Sequence, residues 1–326
     1  MVSGGNKVVL DDPVPGRHLL IASTGGHLAQ LVKWSRVLRS HPDSLFVTFK
    51  NAQSESLLAG RRVMYVPYVA PRNMARTVTA FRLLHKDIDW RGEGFTAAIT
   101  TGAAVGLAGL AAAHIHRVPS FYFESVSRVN GPSLTGKIAG LDPWIRRYCQ
   151  YDHWANRRWN SRSSLFETYA RVPKSPVTRP QLFVTLGTIQ PYRFDALVDS
   201  VLSTGLADDR TVWQLGVTTR HGLPGKTVTQ FNADEFDRCA RDADVVVTHA
   251  GVGTIMHLLE MGIYPVVVPR RAIRKEHVDD HQVQIANLIH AKGIALVRAS
   301  EDLTSEVIVE ASSAKVMNSR PVAEDV

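Results

Sequence analysis

The stretch STGGHLAQL, residues 23–31, places two glycines directly before a histidine, between an apolar run and an amphipathic one. Imidazole titrates near neutrality, so His27 at such a turn is a candidate general base. Gly25 and Gly26 let a ligand approach the backbone. A second stretch, VVVTHAGVGTIMHLLEMG at 245–262, runs from β-branched residues through Gly251 and Gly253 into a helical pattern. The N–H groups and dipole of a helix start favour a phosphate, and Thr254 adds a hydroxyl in the first turn. The same glycines would equally serve a tight turn with no ligand. QLFVTLGTIQP, residues 181–191, is a third loop of this type, with Gly187 and Thr188 where its strand ends.

Cations and a polar cluster extend the list. After the strand VVVPR come Arg270, Arg271, Arg274 and Lys275, then the polar HVDDHQ, where Asp279 or Asp280 suits a helix cap. These cations fit a diphosphate, and Arg270 with Arg271 could also pair with a ligand carboxylate. A solvated basic loop is the bland alternative. FYFESVSRVNGPSLTGKIAG, residues 121–140, gathers Glu124, Ser125, Arg128, Asn130, Ser133 and Thr135 between a strand and a helix, a pattern that reads as a binding site. WIRRYCQYDHWANRRWNSRSSLF, residues 144–166, interleaves three Trp with Arg. It reads as a basic helix and loop packing its aromatics inward, with a membrane or nucleic-acid surface as the alternative. The triplets Asp87–Asp89 and Asp242–Asp244 do not lie at strand ends, so no metal role is expected of them. Neither H-E-x-x-H nor G-x-S-x-G occurs.

Those residues need elements to hold them. The 326 residues are a natural length for two domains, and 44% apolar content supports full folding. A net charge of +8 favours an anionic partner. Cys149 and Cys239 are the only cysteines, which argues against a disulfide framework and a Cys-based zinc site and for a reducing compartment. The first 18 residues carry acids and prolines where a signal peptide needs an apolar core, so they read as a loose leader. The apolar run 97–115 is mostly Ala and Gly, and reads as strand, glycine turn and buried helix rather than a membrane span.

Strands are predicted at 18–23, 44–49, 62–68, 97–100 and 118–124, with a helix over 27–40 and the Ala/Gly helix between the last two strands. VPKSPVTRP, residues 172–180, has three prolines and no periodicity. Alternation then restarts, with strands at 181–187, 211–216, 226–231, 244–250, 265–270 and 294–297, and helices at 193–204, 233–243, 253–262 and 279–293. This pattern predicts two doubly wound, Rossmann-like α/β domains with a cleft between them. The N-terminal domain spans 1–172, the linker 173–180 and the C-terminal domain 181–326. The chain closes with a last helix, available to pack back on the N-terminal domain, and a frayed tail.

Taken together, these stretches resemble bacterial exopolysaccharide glycosyltransferases of the GT-B fold. They also resemble a fusion of the two subunits of the eukaryotic N-acetylglucosaminyltransferase of the dolichol pathway, and more distantly the peptidoglycan enzyme that forms lipid II. The resemblance covers residues 17–297. STGGHLAQL and FESVSRVNGPSLTGK match the acceptor-side subunit; FVTLGT, THAGVGT and VPRRAIRKEHVDDHQVQIA match the donor-side subunit. It implies a C-terminal domain that binds a nucleotide-sugar, most often UDP-linked, with Gly251, Gly253 and Thr254 at the diphosphate. His281 and Gln282 would contact sugar hydroxyls, with His249 facing the same pocket. The N-terminal domain would bind a polyprenyl-diphosphate-linked acceptor on the cytoplasmic face of the membrane, as a peripheral protein recruited to anionic lipid. No cofactor, metal or nucleic acid is expected. Two departures stand out: His257 occupies the place of an acid that holds the ribose in relatives, with Glu260 a turn later, and Ala29–Gln30 stands where the acceptor-side subunit carries an acid.

The implied reaction inverts the anomeric centre. His27 is the candidate base, with Glu124 as the rival or as the group that orients the acceptor. Two other readings remain open: a nucleotide-sugar epimerase on the same fold, and a non-catalytic partner that only docks the acceptor. An NAD(P) dehydrogenase is disfavoured, because TFKN places Lys50 where a ribose-binding acid belongs.

Overall fold

The structure is a computed structural model, and it describes residues 15–70, 73–187, 191–277 and 281–318. Two compact units divide the chain, Met1–Ser125 with Pro132–Ser163, and Val126–Gly131 with Ser164–Val326.

The first unit is built on seven strands: β1 (His18–Ile21), β2 (Leu45–Thr48), β3 (Arg62–Tyr65), β4 (Ala97–Thr100), β5 (Ser120–Phe123), β6 (Ile145–Cys149) and β7 (Asn160–Ser161). They form one sheet in the order β3-β2-β1-β4-β5-β6-β7. Every pairing is parallel, and Leu20 sits between Phe46 and Ile99. The second unit contains β8 (Tyr169–Pro173), β9 (Leu182–Thr185), β10 (Val212–Gln214), β11 (Lys226–Val228), β12 (Val245–His249), β13 (Val266–Val268), β14 (Leu296–Val297) and β15 (Ala314–Asn318). Its main sheet runs β11-β10-β9-β12-β13-β14, all parallel, with Val184 between Trp213 and Val247. In both sheets the central strands are buried at every residue. This is why they read as unbroken apolar runs: crossover helices cover both faces of a parallel sheet.

The two sheets share one feature that positions a site. The chain order reverses between β1 and β4 in the first and between β9 and β12 in the second. Loops leaving adjacent strands at such a point diverge to opposite faces and open a crevice at the strands' carboxyl ends. Helix starts differ there too. Asn51, Asn73, Ser133, Asn232 and Thr304 cap their helices with a side chain. The helices Gly26–Val37, Ala103–Ile115 and Val252–Glu260 start at Gly25, Gly102 and Gly251, with no side-chain cap.

Several expectations need correction. The apolar pattern above does not name the helices Ala52–Leu57 and Met74–Asp87; the first buries only Ser54, whereas the second sets Ala80, Phe81 and Leu84 against the core. Residues 144–166 are not a helix but β6, a short 3-10 turn and β7. Trp159 is buried against Tyr122 and Trp154, whereas Trp144 points to solvent. The chain end is not a frayed tail as far as Asn318: β15 pairs antiparallel with β8, Val316 opposite Arg171. That pairing places Tyr169–Pro173 in the second unit, so the N-terminal domain ends before 172 and the break falls at Ser163–Ser164. The helix Ser305–Ser312 packs on β12 and β15. No helix among the described residues is long and apolar enough to cross a membrane.

The helix Ala103–Ile115 lies so close to β1 that a Cβ on Gly109 would fall 2.8 Å from Ile21 Cγ1. Gly109→Val should therefore overpack the first core and lose about 1–3 kcal/mol. The measurement is a urea titration: a lower midpoint at unchanged slope is expected, and an unchanged midpoint would contradict this close approach.

Candidate active site

In the first unit His27 stands in the first turn of the helix that follows β1. Its Nδ1 lies 2.8 Å from the Thr101 carbonyl oxygen, and the Thr101 hydroxyl donates to the His27 carbonyl at 2.8 Å. A carbonyl only accepts, so Nδ1 carries the proton and Nε2 is the basic nitrogen. Thr101 follows β4, so this pair spans the reversal point between β1 and β4. Gly102, at φ +119°, admits the ring; a Cβ there would lie 3.1 Å from both His27 Cε1 and the Tyr122 hydroxyl. Gly25 needs glycine for a different reason: its φ is +85° and open space lies above it. Its N–H donates to Gln53 Oε1 at 2.6 Å. Gly26 opens the helix.

Glu124 occupies a different position from the one expected of a base. It is 1% exposed. Oε1 accepts from the Tyr122 hydroxyl at 3.2 Å and the Ser125 N–H at 3.0 Å; Oε2 accepts from the Ser133 N–H at 2.9 Å and its hydroxyl at 3.1 Å. A carboxylate buried with both oxygens so occupied shapes the loop rather than meeting a substrate. Ser125 is buried and accepts from Gln30 Nε2, which also donates to the Gly26 carbonyl, each at 3.0 Å. Ser133 caps the helix Leu134–Ala139, and Thr135 stands half-buried in its first turn. Arg128 is half-buried in the segment grouped with the second unit.

In the second unit the reversal point is filled by His249. A Cβ on Gly187 would fall 2.6 Å from its Nε2, and one on Gly251 2.3 Å. The imidazole thus sits in space that two glycines leave open. Gly187 also needs glycine for its φ of +76°, whereas Gly251, at φ −79°, needs it only for the ring. Burial pushes the His249 pKa down to about 3, helped by the Arg270 and His277 charges. Neutral and enclosed, His249 fixes the two loops rather than lining an open pocket. Beyond it the first-turn N–H groups of Val252, Gly253 and Thr254 have no intrahelical acceptor, and no acidic residue stands in that turn. This uncapped positive end suits a phosphate.

Arg270 departs most from expectation. It is 0% exposed. Its guanidinium donates to the carbonyls of Tyr192 at 2.9 Å, Glu276 at 3.1 Å and Leu186 at 2.5 Å, and lies 5.2 Å over the Phe194 ring. Burial lowers its pKa to about 10, with Glu276 opposing. Arg270 therefore braces the loop that carries Gly187 and is not placed to pair with a donor carboxylate. Gln282 is buried, and its side-chain carbonyl accepts from the Arg270 N–H at 3.1 Å. Thr188, Asp279, Asp280 and the His281 side chain lie outside the described residues.

The departures at 257 and 260 resolve into packing. His257 Nε2 meets Asp237 Oδ1 at 2.5 Å, and Glu260 accepts from the Tyr169 hydroxyl at 2.5 Å. Asp89 and Asp244 cap backbone N–H groups of Gly92 and Gln181, at 3.0 and 2.8 Å. Sequence reasoning missed Thr101, Gly102, Tyr122, Tyr192, Phe194, Glu276 and His277. Only the first two had a local signal, TTG directly after a strand. His277 stacks on Tyr192 with centroids 5.8 Å apart, and Glu276 Oε2 accepts from the Arg271 N–H at 2.9 Å.

Residues 211–324 match the glycosyltransferase family 28 C-terminal domain. The UDP-N-acetylglucosamine transferase subunit ALG13 of Yarrowia lipolytica is 30% identical over 135 residues, covering 37% of this chain and 66% of that protein, just under two thirds. Among solved structures, MurG of Acinetobacter baumannii aligns at a TM-score of 0.52 and 16% identity, over 90% of this chain and 89% of that one. A putative UDP-N-acetylglucosamine 2-epimerase of Listeria monocytogenes aligns at 0.50 and 11% identity, over 91% and 92%. The fold is GT-B. Within it, the Gly251 helix falls inside the segment that matches family 28.

Because the folded protein holds His249 neutral, acid should weaken it. The unfolded chain takes up this proton as pH falls through 6.5, while the folded chain resists until about 3. Stability from this group is complete above 6.5 and lost toward 3, at up to about 1.4 kcal/mol per pH unit. Urea titrations between pH 7 and pH 4 should show this slope, and His249→Asn should flatten it by close to one proton. An identical slope in both proteins would refute a buried neutral imidazole.

Proposed function

We propose that the chain is an inverting, metal-independent glycosyltransferase. It moves a sugar from a UDP-linked donor to a polyprenyl-diphosphate-linked saccharide in exopolysaccharide or cell-envelope glycan synthesis. The observation that carries the reading is the uncapped Gly251 helix start at the reversal point of the second unit, within the segment that matches family 28. Gly251, Gly253 and Thr254 hold the diphosphate there, and the Gln282 amide with His281 meets the sugar. The first unit takes the acceptor at Gly25, Gly26, Ser133 and Thr135. Work is on the inner face of the cell membrane, as a peripheral protein.

His27 Nε2 accepts the proton of the acceptor hydroxyl. The oxygen attacks the anomeric carbon opposite the diphosphate, the glycosidic bond to phosphate breaks, and UDP leaves. Negative charge on the leaving diphosphate is met by the helix N–H groups, which need no reorganisation. Glu124 acts at one remove, holding Ser133 and Tyr122. The similarity to the UDP-N-acetylglucosamine transferase subunit ALG13 supports this donor class. An epimerase shares the fold, so the fold by itself does not separate the two.

The test incubates the chain with UDP-glucose, UDP-galactose, UDP-N-acetylglucosamine or UDP-glucuronate, with and without a polyprenyl-diphosphate-linked saccharide. Acceptor-dependent UDP release with a lengthened lipid-linked glycan is expected. Epimerisation without acceptor would replace this reading, and acceptor binding with neither donor binding nor turnover would leave a docking partner. His27→Ala should lower turnover about 10²–10⁴-fold while donor-dependent thermal stabilisation persists; near-normal turnover would remove His27 as the base.

A further inference from the structure

The Gly25–Gly26 turn makes a demand that its own residues do not meet. Successive glycines are the most permissive backbone a chain can carry, yet His27, directly after them, must present one nitrogen at a fixed place. Gly25 adopts φ 85° and ψ −144°, in the region that strongly favours glycine. Its carbonyl accepts from the Ala29 N–H at 3.2 Å and so starts the helix Gly26–Val37. Its N–H is held from outside the turn, by Gln53 Oε1 at 2.6 Å, and Gln53 Nε2 returns to the Gly25 carbonyl at 3.4 Å. An N–H only donates, so the near atom is the amide oxygen. One side chain thus pairs with both polar backbone groups of one glycine.

Gln53 can serve as an anchor because it is itself fixed. It follows β2 in the helix Ala52–Leu57, whose start is closed reciprocally. Asn51 Oδ1 accepts from the Ser54 N–H at 2.8 Å, and Ser54 Oγ accepts from the Asn51 N–H at 3.0 Å. Ser54 is fully buried, and its hydroxyl donates to the Phe49 carbonyl at 2.7 Å. Gln53 is half-buried, and the helix buries only Ser54, so core packing does not account for a glutamine at 53. In the sheet β2 and β4 flank β1. The turn after β1 is therefore gripped from both sides. Gln53 holds Gly25 from the loop after β2, and Thr101 holds His27 from the loop after β4. From within the helix, Gln30 Nε2 donates to the Gly26 carbonyl at 3.0 Å.

We propose that Gln53 is a positioning residue: it selects one conformation of the Gly25–Gly26 turn and thereby fixes the place of His27 Nε2. It acts through Gly25 rather than on a substrate. Without its amide oxygen the turn regains the freedom of glycine. The His27 Nδ1–H bond to Thr101 is then made only part of the time, and Nε2 no longer stands at one point. Misplacing a reacting group by an ångström costs about a hundredfold in rate, because near-attack geometry is narrow. The catalytic consequence rests on the transferase reading; the hold on His27 does not.

The experiment compares two variants of the full chain. Gln53→Met keeps the side-chain length and removes the acceptor; Gln53→Glu keeps an acceptor for the Gly25 N–H. Imidazole nitrogen NMR at alkaline pH reads the His27 tautomer, its signals assigned by their absence from His27→Asn. The parent should show the Nδ1–H form alone, Gln53→Met both forms, and Gln53→Glu the parental form. In the transfer assay, Gln53→Met should lower kcat roughly tenfold to a hundredfold with the donor KM unchanged, and Gln53→Glu should recover most of the loss. Melting temperatures should stay close to that of the parent, since the side chain is only half-buried. Ser56→Ala, exposed on the same helix, should match the parent in every readout. The proposal is overturned if Gln53→Met keeps a single tautomer, or if it mixes tautomers at parental turnover. It is equally overturned if Gln53→Glu loses as much as Gln53→Met, which would trace the effect to the helix and not to the bond. No transfer by the parent would sink the transferase reading and leave the tautomer result standing.

Discussion

Parallel strand direction is the constraint on which the rest depends. In each main sheet every strand points the same way, so every strand-to-helix loop emerges at one edge. Where the order reverses, two such loops diverge and leave a crevice. His27 and Thr101 stand at that point in the first unit, and Gly187, His249 and Gly251 stand at it in the second. The helices Gly26–Val37, Ala103–Ile115 and Val252–Glu260 that start there begin at glycine and have no side-chain cap, so their first N–H groups stay available to a ligand. At Asn51, Ser133 and Thr304 a side chain closes the helix start instead. Capping and binding are alternative uses of the same orphan donors.

Polar residues around these loops divide into those that brace and those that remain accessible. Arg270 and Glu124 brace. Each is buried, and each makes several hydrogen bonds to loop backbone or hydroxyls. Burying such groups is costly unless they are bonded in this way, and once bonded they hold one loop conformation. His249 does the same by shape, as a neutral ring wedged between two glycines. His27 differs: it is only half-buried, and its tautomer is set by the Thr101 carbonyl.

Much of the fold was legible in the chain. The runs HLLI, LFVT, AAIT and VVVTH name their strands because a buried parallel strand is apolar at every position. The short helix Ala52–Leu57, which buries only Ser54, left no comparable signal. The site was legible in part. Glycine loops after strands announced the reversal points, and His27 was visible beside one of them. Glu124 and Arg270 were visible as chemistry but not as position, since an acid or a guanidinium in a loop reads the same whether buried or exposed.

The amino-acid sequence by itself determined the alternation of elements, the glycine-started helices and the identity of the groups available at strand ends. These depend on local sterics and on period, which a short window of residues contains. Tertiary structure decided how those groups are used. It set the His27 tautomer through Thr101, withdrew Arg270 and Glu124 into the loops they brace, and paired β15 with β8. It also left Trp144 in solvent while burying Trp159. Each of these outcomes turns on partners distant in the chain, whose contacts exist only once the sheets have formed.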